Sequence, residues 1–188
     1  MLRYNVTKQL SIQGSTILDT TIDNAKDQLN SCIIEYRDSL VSIAAGMIND
    51  RENAKDIVQE VCLWVLENPD QFKGASLPKT YLYRIVINRC IDHIRKGKRT
   101  LALFDILLRE KSKEARPDYI EVKDLMNRLF VNIPVEFKTP LLLAEIDGMN
   151  YADIANTLNI SLNTVRTRIY RCRERVQKEL SKLEISKC

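Results

Sequence analysis

Apolar positions along the chain recur mostly at three- and four-residue steps, the spacing that lines one face of an α-helix. Leu29, Ile33, Tyr36, Leu40, Ile43 and Met47 predict a helix over about 25–48. Asn49 and Asp50 read as a turn and a cap, and Ile57, Val61, Trp64 and Val65 predict a second helix over 51–67, closed by Asn68 and Pro69. Residues 70–77 read as a loop. Pro78 suits a first helical turn, and Leu82, Val86, Cys90 and Ile94 carry a third helix to about 97. The second half divides into four shorter helices, at about 119–131, between Pro134 and Asp147, at 151–158 and at 162–183. Residues 1–24 show no such stripe and read as a loose extension with room for a short strand; 184–188 read as a tail.

The predicted fold class is therefore all-α, with two small helical domains, 25–98 and 119–183, joined by a flexible linker at 99–118. With five glycines and five prolines in 188 residues, the turns needed for an all-β fold are missing. Charge changes the picture further. Residues 1–78 carry seven Lys/Arg and eleven Asp/Glu, whereas 79–99 carry seven basic and one acidic, and 162–188 carry eight basic and three acidic. A single basic run is commonly a solvated face, but two, each on an amphipathic helix in an otherwise acidic chain, point to a polyanionic partner.

The clearest local pattern runs from Gly148 to Ile169. Gly148 ends one helix, Asn150 caps a short one with Ile154, Ala155 and Leu158 inward, Asn159 and Ile160 make a tight turn, and Ser161 caps the next. This is a helix-turn-helix. On its second helix Val165, Ile169, Cys172 and Val176 point inward, while Asn163, Thr167, Tyr170, Arg171 and Glu174 point outward, with Thr164 and Arg166 on the shoulders. Asn, Thr and Arg are side chains that hydrogen-bond base edges in a major groove. Arg168, Arg173, Arg175 and Lys178 suit phosphates. On the 78–97 helix Arg84, Asn88 and Arg95 share a stripe, with Phe72, Tyr81 and Tyr83 near it, the interleaving of rings and cations that holds single strands. The second helix is different: Asp56, Gln59 and Glu60 cluster, with Leu63 one turn on, which is either a solvated face or a docking site for a basic protein.

Several functions are excluded or left without support. Cys32, Cys62, Cys90, Cys172 and Cys188 form no close pair and read as reduced thiols packed as small hydrophobes. With His93 as the lone histidine, no metal site and no cofactor are expected. The chain has no glycine-rich phosphate loop and no nucleophile motif, so it is not read as an enzyme. No secretory leader or membrane-spanning run is evident, which predicts a cytoplasmic protein without membrane insertion.

The run Asp56-Ile57-Val58-Gln59-Glu60-Val61-Cys62-Leu63-Trp64-Val65, then Phe72-Lys73-Gly74, then Thr80-Tyr81-Leu82-Tyr83-Arg84-Ile85 through Asn88, Asp92 and Arg95, resembles region two of extracytoplasmic-function sigma factors. Ile133-Pro134 through Val176 resembles their region four, and the likeness spans about 26–183. The resemblance implies a transcription-initiation factor that binds core RNA polymerase. It assigns Asp56, Gln59, Glu60 and Leu63 to a coiled coil of the largest catalytic subunit. It assigns Phe72, Lys79, Thr80, Tyr81, Tyr83, Arg84, Asn88, Arg89 and Arg95 to the promoter −10 element, with His93 a further backbone candidate. Asn163, Thr164, Arg166, Thr167, Arg168, Tyr170 and Arg171 fall to the −35 element. It also implies a contact between region four and the flap of the second large subunit, and an anti-sigma partner. Two departures stand out: the family usually has Trp where this chain has Tyr81, and Pro140 falls in a stretch that is normally one helix, so it restarts or kinks that helix. The competing reading is a helix-turn-helix regulator that binds operators without polymerase.

Overall fold

The computed structural model describes residues 4–107, 129–130 and 132–185, with side chains described for 24–97, 129–130 and 132–182. Every regular element among them is helical: α1 Tyr4–Ile48, α2 Arg51–Glu67, a single 3-10 turn at Pro69–Gln71, α3 Pro78–Leu107, α4 Val135–Ile146, α5 Tyr151–Leu158 and α6 Leu162–Ile185.

Local chemistry sets most boundaries. Asn49 takes a positive φ of 59°, and Asp50 then caps α2 by accepting from the N–H groups of Glu52 and Asn53 at 3.0 and 3.1 Å. Asn150 caps α5 through the Asp153 N–H at 2.9 Å, and Ser161 caps α6 through the Thr164 N–H at 3.1 Å. The turn between α5 and α6 depends on Asn159, which is left-handed at φ 53°. Its N–H and that of Ile160 both return to the Ala155 carbonyl. Gly148, at φ 63°, redirects the chain after α4.

Three boundaries differ from the sequence expectation. The loose extension is helical: α1 begins at Tyr4 rather than near residue 25. Once a helix is nucleated, each further residue needs only propagation, and no proline lies in residues 4–48 to stop it. The same reasoning applies to α3, which passes Gly97 and continues to Leu107, into the segment read as linker. Helix α4 runs through Pro140 without restarting. Here the Thr139 hydroxyl donates to the Val135 carbonyl at 2.7 Å, one residue before the carbonyl that Pro140 leaves without its helical donor. Of the helix expected at 119–131, only Leu129 and Phe130 are described, and both are helical; the rest of it, most of the 99–118 linker, Cys188 and the 184–188 tail lie wholly or largely outside the described residues.

The N-terminal half is a three-helix bundle. Leu29, Ile33, Leu40, Ile43 and Met47 of α1 meet Ala54, Val58, Val61 and Val65 of α2 and Leu82, Val86 and Cys90 of α3, all buried. In the C-terminal half Leu143 and Met149 pack with Ile154 and Ala155 and with Val165, Ile169 and Cys172. Burial pushes the Cys90 and Cys172 thiols up to about 12 and about 11, so both behave as small apolar side chains. The halves also pack on each other, α1 against α4 and α3 against α5. At the first contact Gly46 leaves room for Leu142: a Cβ there would lie 2.9 Å from both Leu142 methyls.

Candidate nucleic-acid interface and docking face

Helix α2 presents two separate faces. Ala54, Val58, Val61 and Val65 are buried, while Asp56, Gln59, Glu60 and Leu63 are all exposed on the opposite side, Leu63 by 54%. An apolar residue left in water within a ring of acceptors and negative charge is the pattern of an anchor for a basic protein surface. Trp64, also part-exposed, adjoins it and lines a hollow of about 230 Å³ with Val61, Ile85, Asn88, Arg89 and Asp92.

The cationic side of α3 is split. Phe72 and Tyr81 form a tilted ring pair, centroids 5.2 Å apart, at the loop end of the helix. Burial, then the Asp70 charge, raises the Tyr81 phenol above its ordinary value, so it remains a neutral stacking surface. Thr80 is half-buried beside them, while Asn88, Arg89, His93 and Arg95 are exposed, Arg95 lying 3.7 Å from Asp92.

Lys79, Tyr83 and Arg84 point instead at the C-terminal half. Tyr83, expected near the surface, is 0% exposed. Its ring packs edge-on to Tyr36 at 6.1 Å, and its hydroxyl donates to Asp147 at 2.6 Å. Burial and that carboxylate push the phenol far up. The helical period put Tyr83 next to the cationic stripe, but the second half covers that side. Lys79 lies 2.8 Å from Asp147 Oδ2 and 4.3 Å above the Tyr36 ring. Asp147 Oδ2 has no directed hydrogen bond, so this contact is ionic. Arg84 donates to the Asn156 and Thr157 carbonyls at 2.9 and 3.3 Å.

Helix α6 follows the sequence reading closely. Val165, Ile169 and Cys172 are buried and Val176 half-buried, whereas Asn163, Arg166, Thr167, Tyr170, Arg171 and Glu174 are exposed. Asn163, Thr164, Thr167, Arg168 and Arg171 line one concavity of about 460 Å³ with Glu136 and Phe137. Tyr170 donates to Glu174 at 3.0 Å, which raises its phenol, and Thr167 donates to its own helix at the Asn163 carbonyl. Two of the presumed phosphate cations already have internal partners: Arg173 bonds Glu145 at 2.7 Å, and Arg175 lies 4.8 Å over the Phe137 ring. A cleft of about 540 Å³ between the halves brings Arg84, Asn88 and Arg95 together with Arg168.

Sequence reasoning missed Asp147, Asn156 and Thr157, which α3 engages, and Leu77, 72% exposed at the loop tip. Leu77 could have been flagged as an apolar residue outside every helical stripe. Asp147 and the α5 carbonyls carry no local signal, because only tertiary packing selects them. Among the described residues no helix is long and apolar enough to cross a membrane, and no group of three or more His, Cys, Asp or Glu could hold a metal ion.

Comparison with known proteins agrees with this geometry. Residues 32–100 match the family Sigma-70 region 2, and residues 132–176 match Sigma-70, region 4, so the two together cover more than half of the chain. The chain is 28% identical to the RNA polymerase sigma-H factor of Pseudomonas aeruginosa, an alignment covering 91% of this chain and 95% of that one. It is 29% identical to the ECF RNA polymerase sigma factor SigW of Bacillus subtilis, covering 79% and 86%. A similar fold occurs in the sigma factor RpoE of Bartonella quintana, solved in complex with the anti-sigma factor NepR (TM-score 0.63, 22% identity, 79% of this chain and 94% of that one). It occurs again in CnrH, solved with the cytosolic domain of CnrY (TM-score 0.63, 17% identity, 86% and 95%). With both regions present in order and relatives aligned along most of their length, the chain belongs to the sigma-70 family of RNA polymerase sigma factors, among its extracytoplasmic-function members.

Proposed function

We propose that this chain is an alternative sigma factor that joins core RNA polymerase and directs it to a specific set of promoters. The observation that carries the proposal is the presence, in one chain, of an exposed Asp56–Gln59–Glu60–Leu63 face and an exposed Asn163–Arg166–Thr167–Arg171 face. The first suits a basic surface of polymerase, assigned here to the coiled coil of its largest subunit. The second suits the major groove of the −35 element, where Arg engages guanine O6 and N7 and Asn engages adenine. Phe72 and Tyr81 stack unpaired bases of the −10 element, while Asn88, Arg89 and Arg95, joined by Lys79, Thr80 and Arg84, follow the strand. The apolar groove formed by Leu129, Phe130, Leu141, Val176 and Leu180 suits the flap of the second large subunit. An anti-sigma protein would compete for the same polymerase-facing surfaces, a partner of the kind named for the two solved structures.

No bond is made or broken by the sigma factor itself. Upstream contacts fix register and downstream contacts offset a few kcal/mol of base unpairing. The test is run-off transcription with purified core polymerase and a library of random upstream sequences. Enrichment of a common pair of elements upholds the reading. Tight operator binding by the protein alone, with no polymerase association, replaces it with an operator-binding regulator.

A further inference from the structure

We infer that Glu136, at the start of α4, is a base-reading residue of the −35 interface: its carboxylate accepts from the exocyclic amino group of a cytosine whose paired guanine is held by Arg171. This rests on the reading of α6 as the −35 helix.

Glu136 lies outside the helix-turn-helix, and packing brings it to that motif. Helix α4 lies along α6. Its first turn is anchored: the Pro134 carbonyl accepts from the N–H groups of Phe137 and Lys138 at 3.0 and 3.3 Å, Arg175 lies 4.8 Å over the Phe137 ring, and Lys138 and Thr139 are buried. Glu136, in that same turn, is exposed and borders the concavity of about 460 Å³ together with Thr164, Thr167, Arg168 and Arg171. A side chain carried on an anchored helix is placed more sharply than one on a loop, as base readout requires.

The charges around this concavity point to a base edge as the partner. Other acids near α6 are engaged within the chain: Glu174 accepts from Tyr170 at 3.0 Å and Glu145 from Arg173 at 2.7 Å. Glu136 has no hydrogen bond or ion pair among the described residues, and neither do Arg168 and Arg171, although all three border one hollow. Opposite charges that share a hollow without pairing are free to meet a third group. For Glu136 that group is not a phosphate, since both are anions. The major-groove edge of a G·C pair fits instead. It presents guanine N7 and O6 as acceptors and, beside them, the cytosine N4 amino group as a donor. An arginine and a carboxylate in one concavity match that run, the arginine on guanine and the carboxylate on cytosine. An A·T pair breaks the match, because adenine offers a donor where guanine O6 offers an acceptor. Arg168 remains for phosphate. An acid in a first helical turn also suits the helix dipole, but that role is indifferent to promoter sequence.

The test is a selection by reconstituted holoenzyme from duplexes randomised across the −35 element, with the bound fraction sequenced. Wild type should prefer a G·C pair at one position by roughly tenfold over the other pairs. Glu136→Ala should lose most of that preference and leave the other positions unchanged. Glu136→Lys replaces an acceptor by a donor, so it should move the preference at that position to a pair with guanine or thymine in place of the cytosine. Arg171→Ala should relax the same position, since both side chains address one pair. Circular dichroism checks that each variant is folded, and Glu136→Ala decides the matter if Glu136→Lys is not. Wild-type base preferences in the folded Glu136 variants, or a uniform change in affinity at every position, would overturn the assignment and leave Glu136 as a partner of its own helix dipole. Absence of any upstream preference in the wild-type holoenzyme would instead overturn the reading of α6, and this inference with it.

Discussion

The two basic helices of this protein are built from similar residues and used differently. In α6 the cationic face looks into solvent, and each feature that presents it is local: the Ser161 cap, the Asn159 turn and an inward stripe of Val165, Ile169 and Cys172. In α3 the corresponding face is shared, with Asn88, Arg89 and Arg95 exposed and Lys79 and Arg84 turned toward the other half. Positive charge on a helix thus shows that an anion is sought but does not say which one is held at a given moment.

The comparison can be broken most completely by removing the proposed docking on polymerase. Reversing Asp56 and Glu60 to Lys should abolish co-elution with core polymerase while leaving the thermal melt unchanged, since both side chains point away from the core. Normal co-elution would remove the docking assignment. A smaller effect sharpens the α6 side. Arg166→Ala or Arg171→Ala should each cost about 1–3 kcal/mol on a preferred promoter and relax selectivity upstream only, measured by holoenzyme binding to promoter variants. Unchanged promoter choice in both would mean that another face of α6 reads the bases.

The smallest expected effect tests whether the platform under α6 stands alone. Lys138 is 4% exposed, with the Phe130 carbonyl 3.5 Å away, and burial pulls its ammonium down to about 8. A base held below its ordinary value is disfavoured in the fold while charged. That penalty is in full force below about 8 and fades as pH rises toward the ordinary 10.5. Lys138→Met should therefore raise stability at neutral pH by on the order of 1–3 kcal/mol, and the gain should shrink across that alkaline window. The raised thiol of Cys90 acts in the opposite sense equally in both proteins, whereas Cys172 is coupled to Lys138, so the difference between the two denaturation curves reports the Lys138–Cys172 pair. A gain independent of pH would show that the ammonium is not the source.

Features set by neighbours in sequence were legible in advance. The α2 caps, the helix-turn-helix from Gly148 to Ile169 and the inward faces of α2, α3 and α6 follow from periods and capping residues a few positions apart. The shared exposure of Asp56, Gln59, Glu60 and Leu63 was legible for the same reason. What escaped was decided at a distance. Nothing adjacent to Tyr83 announces that Asp147, 64 positions away, will bury its hydroxyl, and nothing near Arg84 names the carbonyls of α5. The two overlong helices escaped for a different reason: a helix with no breaker continues beyond its last apolar stripe, and a pattern of burial cannot mark where such a helix stops.

Gly46 gives the molecule a property that neither half has alone. Because α1 lacks a methyl group at that point, a leucine from α4 fills the gap, and the buried side chains of both halves run together as one interior. Each half by itself is small enough to be only marginally stable. Packed together, each half covers apolar surface of the other, and parting them would expose Leu142 to water.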